Sequence, residues 1–404
     1  MCNIRCNSCL INNLPMIDEV NLRDCDGVAD LPSQYRQLFP VTQRYVYLNH
    51  ASVSPLSKPV HAAMARMLDG VSEHADRKFE EWEQVIMLAR AAAARLVNAQ
   101  PHQIAFLRNT SEAVSVVANG MEWHDGDNIV SAEAEFPSNV YPWARLKASG
   151  VELRLQPDCD GLVDTDALLS LVDERTRVVA VSWVQFGTGQ RLDLQRIGRF
   201  CRERGILHVV DAIQGLGALQ LDVERDFVDV FAAGGHKFML GPKGAGVLYV
   251  SERALAKVTP TVIGWTAVKD YHDYLIHDFN FREGAFRFEG GTLNEIGICG
   301  LGQAIELFLT AGPEKIEQHL LFLSEYLTRN VEERGYQVIG NGKREDRSAI
   351  VVFQGEGVSA DETCQRLAAR NIIVSTRFGR LRVAPHFYNS REDVDRLIEA
   401  LPRI

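Results

Sequence analysis

At 404 residues the chain is longer than one ordinary hydrophobic core supports, so two domains are expected. Its 46% hydrophobic and 24% charged content is that of a globular protein in water, and a net charge of −10 argues against a nucleic-acid or other polyanion-binding surface. No run of about 18 apolar residues occurs, so no membrane span is expected, and a cytoplasmic location is expected from the scattered cysteines and an N-terminus too polar for a signal peptide.

In chain order, residues 1–40 read as a polar extension that contributes in part to the smaller domain. Cys2, Cys6 and Cys9 have a spacing seen in some iron–sulfur ligand sets. They sit in a tail without other order, and a reduced terminus with no metal is the expectation. RYVYLNHASVSPLS (44–57) gives a short aromatic strand and a small-residue turn, in which Asn49, His50, Ala51 and Ser52 either face a ligand or simply make the turn. From Pro59 to Asn98 Trp82, Val85, Ile86, Ala89 and Leu96 recur at helical spacing, with a break expected at Gly70. Strand 103–107 leads into RNTSEAVSVVANG, where Thr110, Ser111 and Glu112 open a helix. Hydroxyls and free N–H groups there suit either a cap or a phosphate cradle.

Strand and helix then alternate: strands at 128–131, 151–155 and 178–184, helices near 139–148, 165–172 and 194–204. Such alternation implies parallel pairing with crossover helices and a sheet covered on both faces. Two β-branched runs follow, 206–210 and 228–233, the first ending at Asp211 and the second at Gly234, Gly235, His236 and Lys237. In open α/β sheets ligands bind where strands end. Residues 261–290 are irregular and aromatic-rich, two helices run from about 296 and 315, and short α/β units fill the last hundred residues.

The glycine turn GPKGAG is followed by a strand, which excludes a P-loop, and Gly215–Gly217 follow the acidic residue where a dinucleotide fingerprint would precede it. Pyridoxal 5′-phosphate (PLP) fits better, because it needs a lysine for a Schiff base, a carboxylate opposite its ring nitrogen and donors for its phosphate. Asp211 and Lys237 at two strand ends supply the first two.

The motifs VVDAIQGLG, GGHKFMLGPKGAGVLYV, FEGGTLN and RLRVAPHFYNSREDVDRL make the chain resemble the class V aminotransferases of PLP fold type I, from about Tyr45 to the C-terminus. That group includes cysteine desulfurases, selenocysteine lyases, kynureninase and isopenicillin N epimerase-like enzymes. The resemblance implies an α/β fold: a large domain, 41–290, built on a mostly parallel seven-stranded sheet between helices, and a smaller α/β domain, 291–404. It implies that Lys237 forms the Schiff base, Asp211 pairs with the ring nitrogen and Gln214 meets the phenolic oxygen. His236, Ser111 and the backbone at Thr110 and Glu112 would hold the phosphate. Thr292 would reach the cofactor of a neighbouring subunit in a homodimer, and Arg382 would clamp the substrate α-carboxylate. Asn49 and His50, on the reading of their turn alone, are the further candidates for the substrate. Phe136 stands where many members stack a histidine on the ring.

Departures narrow the chemistry. VSTRFGRLRVAPH carries no cysteine where desulfurases have their nucleophile, so persulfide formation lacks its thiolate. Phe136 can stack but cannot relay a proton, which leaves acid–base work to Lys237. Gly234 stands where a serine is common, and in WVQFGTGQRLDL Gln185 is a displaced polar candidate for the cofactor. The expectation is an aminotransferase or a carbon–sulfur lyase acting at the α-carbon of an amino acid. An amino-acid epimerase is the alternative, and a non-catalytic relative of the same fold the more distant one.

Overall fold

The computed structural model describes residues 30–275, 279–340 and 344–404. Cys2, Cys6 and Cys9 lie outside them. Asp30 caps α1 (Leu31–Tyr35) by accepting from the Ser33 N–H. Leu31, Tyr35 and Phe39 are buried, and Phe39 stacks on Tyr388 with ring centroids 3.9 Å apart. The end of the expected extension is thus part of the core, anchored by three side chains too few to register as a periodic pattern.

β1 (Val46–Tyr47) precedes a helical pair, α2 (Lys58–His74) and α3 (Phe79–Leu96). The break falls at Ala75, whose φ is +48°, and not at Gly70, which is buried inside α2 against Trp82. A lone glycine costs a helix only about 1 kcal/mol, which packing offsets.

The alternating region follows as β2 (Ile104–Leu107), α4 (Thr110–Gly120), β3 (Asn128–Ala132), α5 (Tyr141–Ala144), β4 (Glu152–Gln156), α6 (Thr165–Ser170), β5 (Thr176–Ser182), α7 (Leu194–Glu203), β6 (Leu207–Asp211), β7 (Val230–Gly234) and β8 (Gly246–Val250). α5 is far shorter than the helix expected over 139–148. Pro137 opens a 3-10 turn over Pro137–Asn139, Pro142 sits in the first turn of α5, and a 3-10 run over Arg145–Ser149 follows it, so the helical turns are there but not as one α-helix.

The sheet has seven strands in the order β2-β8-β7-β6-β5-β3-β4. β4, β3, β5, β6 and β7 run parallel, whereas β8 is antiparallel to both β7 and β2, since only a glycine-rich loop joins it to β7. Alternate residues feed separate cores: Val179, Val181, Val210 and Phe231 enter one, Val178, Ala180, Val209 and Val230 the other. After β3 the chain adds β4 on one side, then returns to add β5 on the other. The crevice between β3 and β5 is therefore the switch point where α/β sheets bind ligands.

Beyond α8 (Glu252–Leu255) come α9 (Glu295–Ala311), α10 (Pro313–Glu332), β9 (Gln337–Ile339), β10 (Val351–Gln354), α11 (Ala360–Ala369), β11 (Ile372–Ile373), β12 (Ser375–Arg377), β13 (Arg380–Val383) and α12 (Arg391–Ala400). Strands β12-β13-β10-β9 form an antiparallel sheet, and β11 pairs in parallel with β1. Ile298, Leu301, Ile305 and Phe308 of α9 share one core with Ala89 and Ala93 of α3, and Ile350, Val352 and Phe387 enter the same core, so it is continuous across 290/291. Val46 and Leu48 pack in a second cluster with Leu327, Phe353 and Val383. Among the described residues no single helix is long and apolar enough to cross a membrane.

Candidate active site

Four strand ends meet at the switch point, and each delivers one or two polar groups. β6 ends in Asp211, which is 2% exposed and accepts the Ile213 N–H at 3.0 Å. Burial pushes its carboxyl up to about 7, against the pull of Ile213 and Lys237. The turn after β7 carries His236 and Lys237. Burial, with Arg382 and Arg377 nearby, pushes the Lys237 amine down to about 8, while Asp211 opposes that shift. The two groups feel each other's charge without forming an ion pair. Ser54, missed in the sequence, fixes this turn: its N–H donates to His236 O at 2.8 Å and its hydroxyl to Lys237 O at 2.6 Å.

β3 leads to Glu135 and Phe136. The Phe136 ring centroid lies 5.5 Å from Lys237 Nζ, and the ring meets Phe186 edge-on at 5.1 Å. Glu135 is buried and accepts from the Ser182 N–H at 2.7 Å, the Ser182 hydroxyl, Gln185 Nε2 at 2.8 Å and Asn139 Nδ2 at 3.0 Å. Burial raises its pKa although all four donors oppose the shift. Gln185 is thereby held by Glu135, with its own Oε1 buried and unpaired. Gln214 likewise gives Nε2 to Ala51 O at 3.1 Å and keeps a buried, unpaired Oε1.

α4 abuts the end of β7, where the Gly234 N–H donates to Thr110 Oγ1 at 3.3 Å. Asn109 caps the helix by accepting the Glu112 N–H at 2.9 Å, and the Glu112 carboxylate pairs with Arg108. The Glu112 backbone, expected among the phosphate donors, is thus already engaged. Among the described residues no acceptor takes the N–H of Thr110 or Ser111, and the Ser111 hydroxyl meets Ser138 at 2.7 Å. His236 lies beside Gly234, its pKa lowered by burial and by Lys237 and Lys243.

Arg382 projects from β13 and is 1% exposed. It donates to Ser52 Oγ at 2.8 Å, Phe186 O at 2.9 Å and Ser375 Oγ at 3.2 Å. Burial and Arg377 lower it to about 9. Asn49 lies in the same turn as Ser52, with Oδ1 buried and unpaired. His50 differs. Fully buried and pushed down to about 4, it is neutral, so Nδ1 donates to Ala384 O at 2.7 Å and Nε2 accepts from the Tyr388 hydroxyl at 2.7 Å. Its ring therefore has no free polar atom to offer a substrate. Thr292 is exposed on the coil before α9, and among the described residues no hydrogen bond joins it to the Lys237 group.

These residues fit PLP: a buried carboxyl with one protein donor, an amine whose proton affinity is lowered, unpaired buried amide oxygens, and free N–H groups at a helix start. Fold and site together define a PLP-dependent enzyme of fold type I. The family model described as Aminotransferase class-V matches residues 46–397. A probable cysteine desulfurase of Methanothermobacter thermautotrophicus is 31% identical, over 91% of this chain and 97% of that protein. The uncharacterized aminotransferase YcbU of Bacillus subtilis is 27% identical, over 92% and 97%. A lysine-to-alanine mutant of C-DES, solved with glycine covalently linked to its PLP cofactor, superposes with a TM-score of 0.84 at 25% identity, covering 90% of this chain and 98% of its own. The chain belongs to the class V aminotransferases.

Proposed function

We propose that Lys237, Asp211 and Arg382 are the working residues of an aminotransferase or carbon–sulfur lyase acting at the α-carbon of an amino acid. Thr110, Ser111 and His236 hold the PLP phosphate, Asp211 faces the ring nitrogen, Gln214 and Gln185 line the ring, and Phe136 stacks on its face. When bound, PLP supplies an aldehyde carbon for amines and a ring that accepts electrons from the α-carbon. Arg382 receives the substrate α-carboxylate with a planar fork that suits a carboxylate. Lys237, freed by the substrate amine, moves the α-proton, because Phe136 has no proton to give.

The observation that carries this reading is the placing of Asp211 and Lys237 at adjacent strand ends, coupled but apart, with Phe136 against the amine. The likeness to C-DES, a cystine C–S lyase solved with its product cysteine persulfide, supports the lyase branch. The β12–β13 hairpin carries arginine and no cysteine, which speaks against persulfide formation on the enzyme. Borohydride treatment should fix PLP on Lys237, read by mass spectrometry of the labelled peptide. No label there, or full turnover by Lys237→Ala, would refute the reading. Assays that separate keto acid from ammonia and sulfide then distinguish transamination from elimination.

The same reading includes a homodimer in which Thr292 reaches the neighbouring site, and a cytoplasmic enzyme. Free Cys159, Cys201, Cys299 and Cys364 suit the latter. Sedimentation of the holoenzyme at the monomer mass would exclude the dimer.

A further inference from the structure

The β12–β13 hairpin presents more positive charge to the site than one carboxylate can satisfy. Its register sets Ser375 opposite Arg382 and Arg377 opposite Arg380. Residues two apart on a strand share a face, so Ser375, Arg377, Arg380 and Arg382 all lie on one side, while Leu381 enters the small core. Arg380 is accounted for by Asp160 and by Gln354 Oε1 at 3.1 Å. Arg377 and Arg382 are not. Among the described residues neither reaches a carboxylate, and their hydrogen bonds end on neutral oxygens.

Both meet at one atom, Ser52 Oγ, with Arg382 Nη2 at 2.8 Å and Arg377 Nη2 at 3.4 Å. A hydroxyl oxygen has two lone pairs, and two guanidinium groups use both. Each arginine weakens the hold of Lys237 on its proton, so both act on the same pocket. An α-carboxylate delivered to Arg382 neutralises one cation and leaves the other unmatched beside it.

We propose that Arg377 binds a second acidic group at the end of the substrate side chain, making this an enzyme for dicarboxylic amino acids of aspartate or glutamate size. The proposal rests on Arg382 as the α-carboxylate clamp. The common Ser52 contact sets the size, because guanidinium groups that touch one oxygen are spanned by a single small molecule. A diacid supplies the two negative charges that this half of the pocket lacks.

Calorimetric titration of the holoenzyme with succinate and with succinamate tests this without turnover. Succinate should bind about tenfold tighter or more. Arg377→Gln should bring the two close to parity, and Arg377→Lys should restore part of the difference. Equal affinities in the wild type overturn the proposal without any variant. So does a preference that survives Arg377→Gln, or an equal loss of both ligands, which would put Arg377 on the α-carboxylate. Borohydride labelling of Lys237, run on the same sample, judges the PLP reading separately.

Discussion

Arg382 Nη2 donates to Ser52 Oγ at 2.8 Å, and Nη1 of the same guanidinium donates to Phe186 O at 2.9 Å. One side chain of the small domain thus meets the turn after β1 and the loop after β5. At about 9 its pKa still leaves it cationic at neutral pH. Arg382→Met should raise KM for amino acids about 100-fold with a smaller change in kcat. Arg382→Lys should recover only part of that, because an ammonium is a point charge without a fork. Steady-state kinetics with KM and kcat resolved check this, and an unchanged KM would remove Arg382 from the substrate.

Lys237 loses its proton near pH 8 because burial and two arginines disfavour the cation, with Asp211 working against them. Only the neutral amine attacks an aldehyde. In apoprotein the rate of PLP capture should therefore rise with pH and level off above about 8, well below the ordinary lysine range. Arg377→Gln removes one repelling charge and should move that midpoint upward. Stopped-flow absorbance across the range reads both. A wild-type midpoint near the ordinary lysine value would mean that burial does not activate Lys237.

Asp211 and Lys237 were legible in the sequence because short β-branched runs end on them, and a strand end is where an α/β sheet places its chemistry. Glu135 was not. It lies one residue before Phe136, yet its role comes from β3 pairing with β5, which brings Ser182 and Gln185 to it across roughly fifty positions of sequence. Arg377 lay in a stretch noted for its missing cysteine. Only the β12–β13 register shows that it shares a face with Arg382. His50 reads the same in sequence whether it faces a ligand or the core, and the pairing of its turn with Ala384 and Tyr388 decides for the core. The long-range pairings that the sequence does not announce are the ones that settled these residues.

Asp211 should cost the apoprotein stability. Its folded pKa, about 7, is raised above that of an unfolded carboxyl, so the native state holds this proton to higher pH than the unfolded chain. Stability from this group is present at acid pH and is lost as pH rises toward 7. Asp211→Asn keeps the shape and an acceptor for the Ile213 N–H but has no charge to bury. At pH 8 the variant apoprotein should be more stable by up to about 4 kcal/mol, a figure that already includes the attraction to Lys237. The gain should shrink as pH falls toward about 4. Urea denaturation at several pH values checks the sign. A gap that does not change with pH would mean the carboxyl is not desolvated, while loss of activity in the same variant is expected throughout.

Arg90 and Glu289 form a bidentate pair with contacts of 2.8 and 2.9 Å, each side chain 3% exposed. The guanidinium also lies over the rings of Phe106 and Phe286, at 5.0 and 4.7 Å. Glu289 opens the EGGT turn that carries Thr292, so this pair anchors that turn to the large domain. Arg90→Met leaves a buried carboxylate without its partner and should destabilise the protein by about 3–5 kcal/mol. Removing both charges should recover much of the loss, but not equally for every replacement. Glu289 Oε1 also accepts the Phe106 N–H at 2.7 Å, an edge-strand donor that needs an acceptor. Arg90→Met with Glu289→Gln keeps one; Arg90→Met with Glu289→Leu does not, and should stay roughly 1–3 kcal/mol less stable. Denaturation of the single and both double variants reads the order directly. If the leucine double variant proved the more stable, the Phe106 bond would contribute nothing, and the pair would act through charge alone.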